Sequence, residues 1–247
     1  MIIDAHAHLR ENMAVNEHFL KECHRLGIDK ICAFCTSPPA STPSNEITKK
    51  MMDQYPESVI GFAFVNPSEG EKAVNDFEMC IKDLGMRGLK LLLDRKATDP
   101  AVFPIIEKSI ELRVPVLMHT FMHRGIMNER NKVYPNESGA TEIAELARRY
   151  PQAMIIMAHY SLGDWEYGVK AVKGCENVYL DTSGTGIDLG SVEMAVKGVG
   201  ARRVVFGTDN VILPALGKVY GAMISEEERT LILIENMIRL LKHRGPV

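Results

Sequence analysis

The sequence predicts an α/β protein of the single (β/α)8 TIM-barrel class. Three observations carry that prediction. Eight short apolar runs begin between residues 1 and 203, on average about 29 residues apart, which is the length of a strand–helix unit. Segments with helical apolar spacing lie between the runs. The chain has 247 residues, close to the ~250 that eight such units need.

In order, the runs are MIIDA at residue 1, IDKICAFC at 28, VIGFAFV at 59 and GLKLLL at 88. PVLMHT follows at 115, AMIIMAH at 153, NVYLDTS at 177 and RVVFGTD at 203. Most are almost wholly apolar, as strands buried on both faces must be. Between the first two, Asn16 is predicted to cap a helix carrying Phe19, Cys23 and Leu26, which Gly27 stops. Pro100 opens a helix with Val102, Ile105, Ile106 and Ile110. Residues 141–150 place Ile143, Leu146, Ala147 and Tyr150 on one stripe before Pro151. The last helix opens with a capping box, Ser225 and Glu228, and runs apolar to Leu241. A doubly wound open sheet is the runner-up, but no GxGxxG follows the first strand. No linker divides the chain, so one domain over 1–247 is expected.

Three connections are long, and each follows a strand: TSPPASTPSN (36–45), FMHRGIMNERNKVYPNE (121–137) and NVILPALGKVYGAMI (210–224). Helix-to-strand connections such as RLGIDK and RRYPQA are terse. In a barrel that asymmetry builds up the face where the strands end, which is where chemistry is placed.

Composition narrows the function. The chain is 46% hydrophobic and 25% charged, an ordinary globular balance. Lys plus Arg number 29 against 32 Asp plus Glu, a formal charge of -3, which disfavours binding to a nucleic-acid backbone. No apolar run reaches membrane-spanning length, and no signal peptide precedes the first strand. Five cysteines, an odd number, read as reduced thiols in a cytoplasm. Cys32 and Cys35 have zinc-pair spacing but no second pair, so they are expected to pack in the core. The 14 methionines, spread throughout, read as core filler.

The stretch DAHAHL, residues 4–9, points to chemistry. In a strand Asp4, His6 and His8 leave one face. His119 ends the fifth run, His159 the sixth and Asp209 the eighth, while Lys90 lies in the fourth. In a barrel all of these face one opening, and the cheapest common partner for such a cluster is a cation. A metal site at the C-terminal ends of the strands is therefore expected.

On these residues the sequence resembles the amidohydrolase superfamily, in its amidohydrolase-related branch of metal-dependent TIM-barrel hydrolases. That branch also includes aminocarboxymuconate-semialdehyde decarboxylase and γ-resorcylate decarboxylase. DAHAHL is similar to its first-strand motif, RGLKLLL to its fourth, VPVLMHT to its fifth and MIIMAHY to its sixth. NVYLDTSG, VVFGTDN and IENMIRLLK resemble its seventh strand, eighth strand and closing helix. The resemblance implies that His6, His8, His119 and Asp209 are ligands of one divalent ion, with His159 as acid/base or a further ligand. It departs from the family pattern at Leu92 and Leu93, at Tyr160-Ser161 and at Asn210-Val211, where substrate pockets are shaped.

Imidazoles and a carboxylate suit Zn²⁺ first, and also Mn²⁺, Fe²⁺ or Co²⁺. Asp209 or His159 would move the proton of a water activated on the ion. Lys90 has two readings: a carboxylated bridge between two metals, known in some members of the superfamily, or a buried cation beside carboxylates such as Asp4 or Asp181. The second, and hence one metal, is expected. Asp181 and Ser183 would orient a ligand histidine. Arg10, Arg124 and His123 are candidates for substrate contact, the arginines as carboxylate clamps. His18, His24 and His243 read as surface residues, and Tyr160 and Trp165 as helix packing. The expected function is hydrolysis of a C–N or C–O bond in a small organic molecule. The alternative is non-oxidative decarboxylation of an aromatic or enoic acid, and a third reading is a catalytically silent binding or scaffold barrel. The partner is a small-molecule substrate, with neither nucleic acid nor membrane, and a homodimer by analogy.

Overall fold

The computed structural model describes residues 1–36, 41–92, 94–121, 134–160, 165–184 and 189–242. Eight strands form one parallel sheet in sequence order: β1 Ile3–Leu9, β2 Lys30–Cys35, β3 Val59–Phe64, β4 Gly88–Leu91, β5 Val116–Met118, β6 Ile155–Met157, β7 Val178–Asp181 and β8 Val204–Val205. The segment after β8 returns to β1. Ala5 N–H donates to Phe206 O at 2.8 Å, and Asp209 N–H donates to His6 O at 2.8 Å. The sheet thus closes on itself as a (β/α)8 TIM barrel.

Helices alternate with the strands: α1 Met13–Arg25, α2 Ser41–Gln54, α3 Glu71–Lys82, α4 Phe103–Leu112, α5 Ala140–Arg149, α6 Trp165–Ala171, α7 Ser191–Val199 and α8 Ile212–Tyr220. The chain ends with α9 (Glu226–Thr230), a π-helical turn (Leu231–Glu235) and α10 (Asn236–Leu241). The outer core lies between strands and helices, and a smaller inner cluster fills the ring with Ile3, Cys32, Phe34, Phe62, Leu117 and Ile156. Met237, Leu240 and Leu241 of α10 join that inner cluster. Arg87, just before β4, donates to Leu241 O at 3.0 Å, so α10 covers the mouth at the strand starts. Among the described residues, that leaves the mouth at the strand ends for chemistry.

Three local expectations are corrected. The cap of α1 is Asn12, whose side chain accepts from Ala14 N–H. Asn16 is buried one turn later and instead clasps Arg10, accepting from its N–H at 2.7 Å and donating to its C=O at 2.8 Å. Two of the long connections are partly helical, since α2 begins at Ser41 and α8 spans Ile212–Tyr220. Pro43 and Pro214, within those connections, each fall in a first turn, where the missing N–H costs no intrahelical bond. The Ser225–Glu228 capping box is present as expected. The five cysteines are buried and free, and among the described residues no helix is long and apolar enough to cross a membrane.

Candidate metal centre

His6 is fully buried, and both its ring nitrogens are engaged. Its Nδ1 lies 2.7 Å from Asp181 Oδ2 at the end of β7. Asp181 also accepts from Ser183, the hydroxyl on Oδ2 and the backbone N–H on Oδ1, each at 2.7 Å. A carboxylate offers only acceptors, so His6 carries its proton on Nδ1 and turns the Nε2 lone pair inward. Lys90, fully buried in β4, meets that lone pair at 3.2 Å and lies 4.8 Å from the Phe34 ring centre. The expected carboxylate contact is therefore replaced: the ammonium approaches an imidazole and an aromatic face, with Asp209 and Asp181 acting only through their charge. Burial brings the Lys90 ammonium down to about 8.

His6 Nε2, His8 Nε2 and Asp209 Oδ1 form a triangle. The sides are 3.3 Å between the imidazoles, 3.3 Å from His8 to Asp209 and 3.7 Å from His6 to Asp209. Donors bound at 2.0–2.2 Å around a tetrahedral ion stand ~3.3–3.6 Å apart, so the triangle has the span of a ligand set. Its chemistry agrees. Burial lowers the pKa of His6 and of His8, the direction that suits a metal-ligating imidazole. Burial alone would raise the Asp209 carboxyl, but the hydrogen bond from His8 and the neighbouring imidazoles carry it below the usual carboxylate range. A second grouping, His6, His159 and Asp181, also has ligand-like spacing, but it is already satisfied by hydrogen bonds through Ser183.

His159, also buried, places Nδ1 2.8 Å from Ser183 Oγ. Its Nε2 faces His119 Nδ1 at 3.3 Å, and its ring stacks 5.0 Å from that of His6. Burial pushes its pKa well below the ordinary histidine value. His119 thus adjoins the triangle through His159. Its other nitrogen, Nε2, is 2.7 Å from Glu137 Oε1.

The backbone supports this arrangement at a cost. His159, Tyr160, Asp209 and Asn210 all have positive φ, from 49° to 62°, a region that side chains other than glycine rarely adopt. Asn210 is held by a two-way clasp on β1, accepting from His8 N–H at 2.6 Å and donating to His8 C=O at 2.8 Å. Asp4 supports the same seam. It accepts from His6 N–H and Thr208 N–H at 2.9 Å each, and from the Thr208 hydroxyl at 2.5 Å. Burial pushes its carboxyl up to about 7 against those hydrogen bonds.

The profile of the amidohydrolase family matches residues 3–242. The chain belongs to the amidohydrolase family. No curated protein matches this family member in sequence. Many solved structures share its fold, three of them as follows. The 5-carboxyvanillate decarboxylase from Sphingomonas paucimobilis superposes with a TM-score of 0.76 at 14% identity, covering 98% of each chain. A dihydroxybenzoic acid decarboxylase from Polaromonas sp. JS666, with bound manganese and the inhibitor 2-nitroresorcinol, gives 0.74 at 20% identity, covering 98% of this chain and 96% of that one. The 4-oxalomesaconate hydratase from Rhodopseudomonas palustris gives 0.75 at 16%, covering 99% and 96%.

Among the predicted site residues of this amidohydrolase, His6, His8, His119, His159, Asp209, Lys90, Asp181 and Ser183 are brought together. Arg10 is exposed at the end of β1, and its charge acts on His8. His123 and Arg124 lie outside the described residues, as does His243. His18 and His24 are exposed on α1. Sequence reasoning missed Glu137, Thr208 and the clasp made by Asn210. Only Asn210 left a signal, as a departure from the family pattern.

Proposed function

We propose that this chain is a divalent-metal-dependent decarboxylase that releases CO₂ without oxidation from a hydroxylated aromatic acid. One observation carries the reading: a cation-sized triangle of His6, His8 and Asp209 stands at the open mouth of a barrel shaped like two hydroxybenzoate-type decarboxylases. Hydrolysis, the first expectation, takes second place, because the family name supports it while the neighbouring structures support C–C cleavage.

His6, His8 and Asp209 would hold one divalent ion, with His119 alongside. Zn²⁺ suits the donors, and the manganese of the Polaromonas enzyme puts Mn²⁺ beside it. When bound, such an ion would supply a Lewis acid that stabilises the negative charge of an acidic substrate. The remaining chemistry falls to the side chains. Cleaving the carboxylate leaves an electron pair on the ring carbon, which needs one proton in return. His159 Nε2 or the Asp209 carboxylate would first take the proton of the substrate's hydroxyl and then return it to that carbon, and Ser183 holds the His159 ring in register. Arg10, and in the same proposal Arg124 and His123, would orient the carboxylate. The buried, free cysteines suit a single-domain cytoplasmic enzyme.

The test is a substrate panel of hydroxybenzoates, esters, lactones and amides, assayed with Mn²⁺ and with Zn²⁺. CO₂ release that drops at least 100-fold in H159N is expected, in line with loss of a general acid. Hydrolysis without CO₂ release would return the protein to the hydrolase reading. Activity unaltered in H159N would remove the assigned role of His159, and no turnover of any substrate would favour a silent barrel.

A further inference from the structure

We propose that Glu137 is a positioning residue that fixes His119 in the tautomer protonated at Nε2, leaving the Nδ1 lone pair to face the metal pocket. The metal half of this inference rests on the reading that His119 borders a cation site; the tautomer does not.

The geometry leaves little freedom. Glu137 has no exposed side-chain surface, and its Oε1 is 2.7 Å from His119 Nε2. A carboxylate can only accept, so Nε2 must carry the hydrogen, and a neutral imidazole has only one. Nδ1 of the neutral ring then carries the lone pair. It faces His159 Nε2 at 3.3 Å. That nitrogen is an acceptor too, because the Ser183 hydroxyl gives its proton to Asp181 and must receive one from His159 Nδ1. With both rings neutral, two lone pairs face each other across that contact, an arrangement that favours a cation between them.

Glu137 is itself held in place. The backbone around it is tied to neighbouring segments: Phe121 N–H donates to Ser138 C=O at 2.9 Å, Ala97 N–H to Ser138 Oγ at 2.8 Å, and Asn136 Nδ2 to Asp94 C=O at 3.0 Å. Carboxylates behind metal-facing histidines set tautomer and ring orientation, and removing them typically costs 10–100-fold in metal affinity or activity.

The experiment uses the full-length protein labelled with ¹⁵N-histidine at pH 8, before and after Zn²⁺, with His119→Gln to assign the signals. The His119 ring of the wild type is expected as the Nε2–H tautomer. In E137M, which keeps chain length but removes the acceptor, the Nδ1–H form should appear and Zn²⁺ affinity should fall about 10–100-fold. In E137Q, whose amide oxygen still accepts, the tautomer should hold while affinity falls several-fold with the lost charge. A wild-type proton on Nδ1 overturns the proposal. So does an E137M protein that loses thermal stability but keeps both tautomer and affinity, since that is the signature of a packing role alone. Should E137M fail to fold, an unchanged affinity in E137Q is decisive against it. A wild type that binds neither Zn²⁺ nor Mn²⁺ removes the metal centre, and with it the metal half of this inference, while the tautomer is still read directly.

Discussion

Gly207 offers a sharp test of the site's architecture, because a single methyl group there strikes the groups behind the metal triangle. A Cβ at Gly207 would lie 2.0 Å from Asp181 Oδ1, 2.8 Å from Asp181 Cγ and 3.1 Å from His6 Cβ. The first distance is ~1.4 Å short of 3.4 Å, where ordinary van der Waals contact begins. Asp181 must therefore move by more than its 2.7 Å bonds to His6 and Ser183 can tolerate. Overpacking costs about 1–3 kcal/mol, and a buried hydrogen bond to a charged group about 1.5–3 kcal/mol. G207A should lose roughly 3–5 kcal/mol, or about 6–20 °C in Tm for a chain of this size. With His6 no longer held, Zn²⁺ or Mn²⁺ affinity should fall about 10–100-fold. The control is G198A, where a Cβ would meet Val169 Cγ1 at 2.3 Å between α7 and α6. That variant should lose stability but bind metal like the wild type. Thermal melts and metal titrations on both variants decide the matter. Wild-type affinity in G207A, or equal metal loss in both, would refute the link from Asp181 to His6.

Three further outcomes are expected. Metal-free D209N should match the Tm of metal-free wild type, since Asn tolerates the φ of 49° at this position, but lose metal affinity by more than the 10–100-fold typical of groups behind the ligands; metal content after dialysis checks this. Chelation should lower Tm by about 5–11 °C relative to protein held at a hundred times the metal Kd, as mass action requires about 2.7 kcal/mol there; an unchanged melt would argue against a resident ion. In metal-free protein, stability should fall on acidification below about pH 6.5, the unfolded histidine pKa. His6, His8 and His159 are depressed by burial, so unfolding takes up protons there. Asp4, raised to about 7, and Asp181, also raised, return part of that uptake. Three histidines outnumber two carboxylates, so the net slope keeps the histidine sign, and a Tm that is flat or rises from pH 6.5 to 5 would contradict it.

How much was legible follows from which signals survive in one dimension. The strands were, because a barrel strand is buried on both faces and reads as an apolar run. Helix starts were less so. Pro43 and Pro214 punctuate the sequence like loops but occupy first turns, and Asn12 competes with Asn16 four residues on for the same capping role. Within the site, the histidines and Asp209 were legible because strand ends are marked by the runs they close. Glu137 was not. It lies 18 residues past His119 in a polar stretch with no periodicity, and only the return of that segment to β5, through Phe121 and Ser138, brings it to the ring.

The seam between the first and last strands unites fold and chemistry. β8 is only two residues long, and what closes the barrel is mostly its extension: Ala5 with Phe206, Thr208 with Asp4, Asp209 with His6 and Asn210 with His8. The triangle of His6, His8 and Asp209 straddles that seam, so its 3.3–3.7 Å sides are set by barrel closure and not by loop conformation. The clasps are polar, buried at Asp4 and part-buried at Asn210, and a barrel sealed by apolar packing alone would leave the relative height of the two strands less defined. Hydrogen bonds from Asp4 and Asn210 remove that freedom. The positive φ at Asp209 and Asn210 is the strain accepted for turning one carboxylate inward while the next side chain grips β1. The residues that complete the cylinder are therefore the ones that give the candidate site its dimensions.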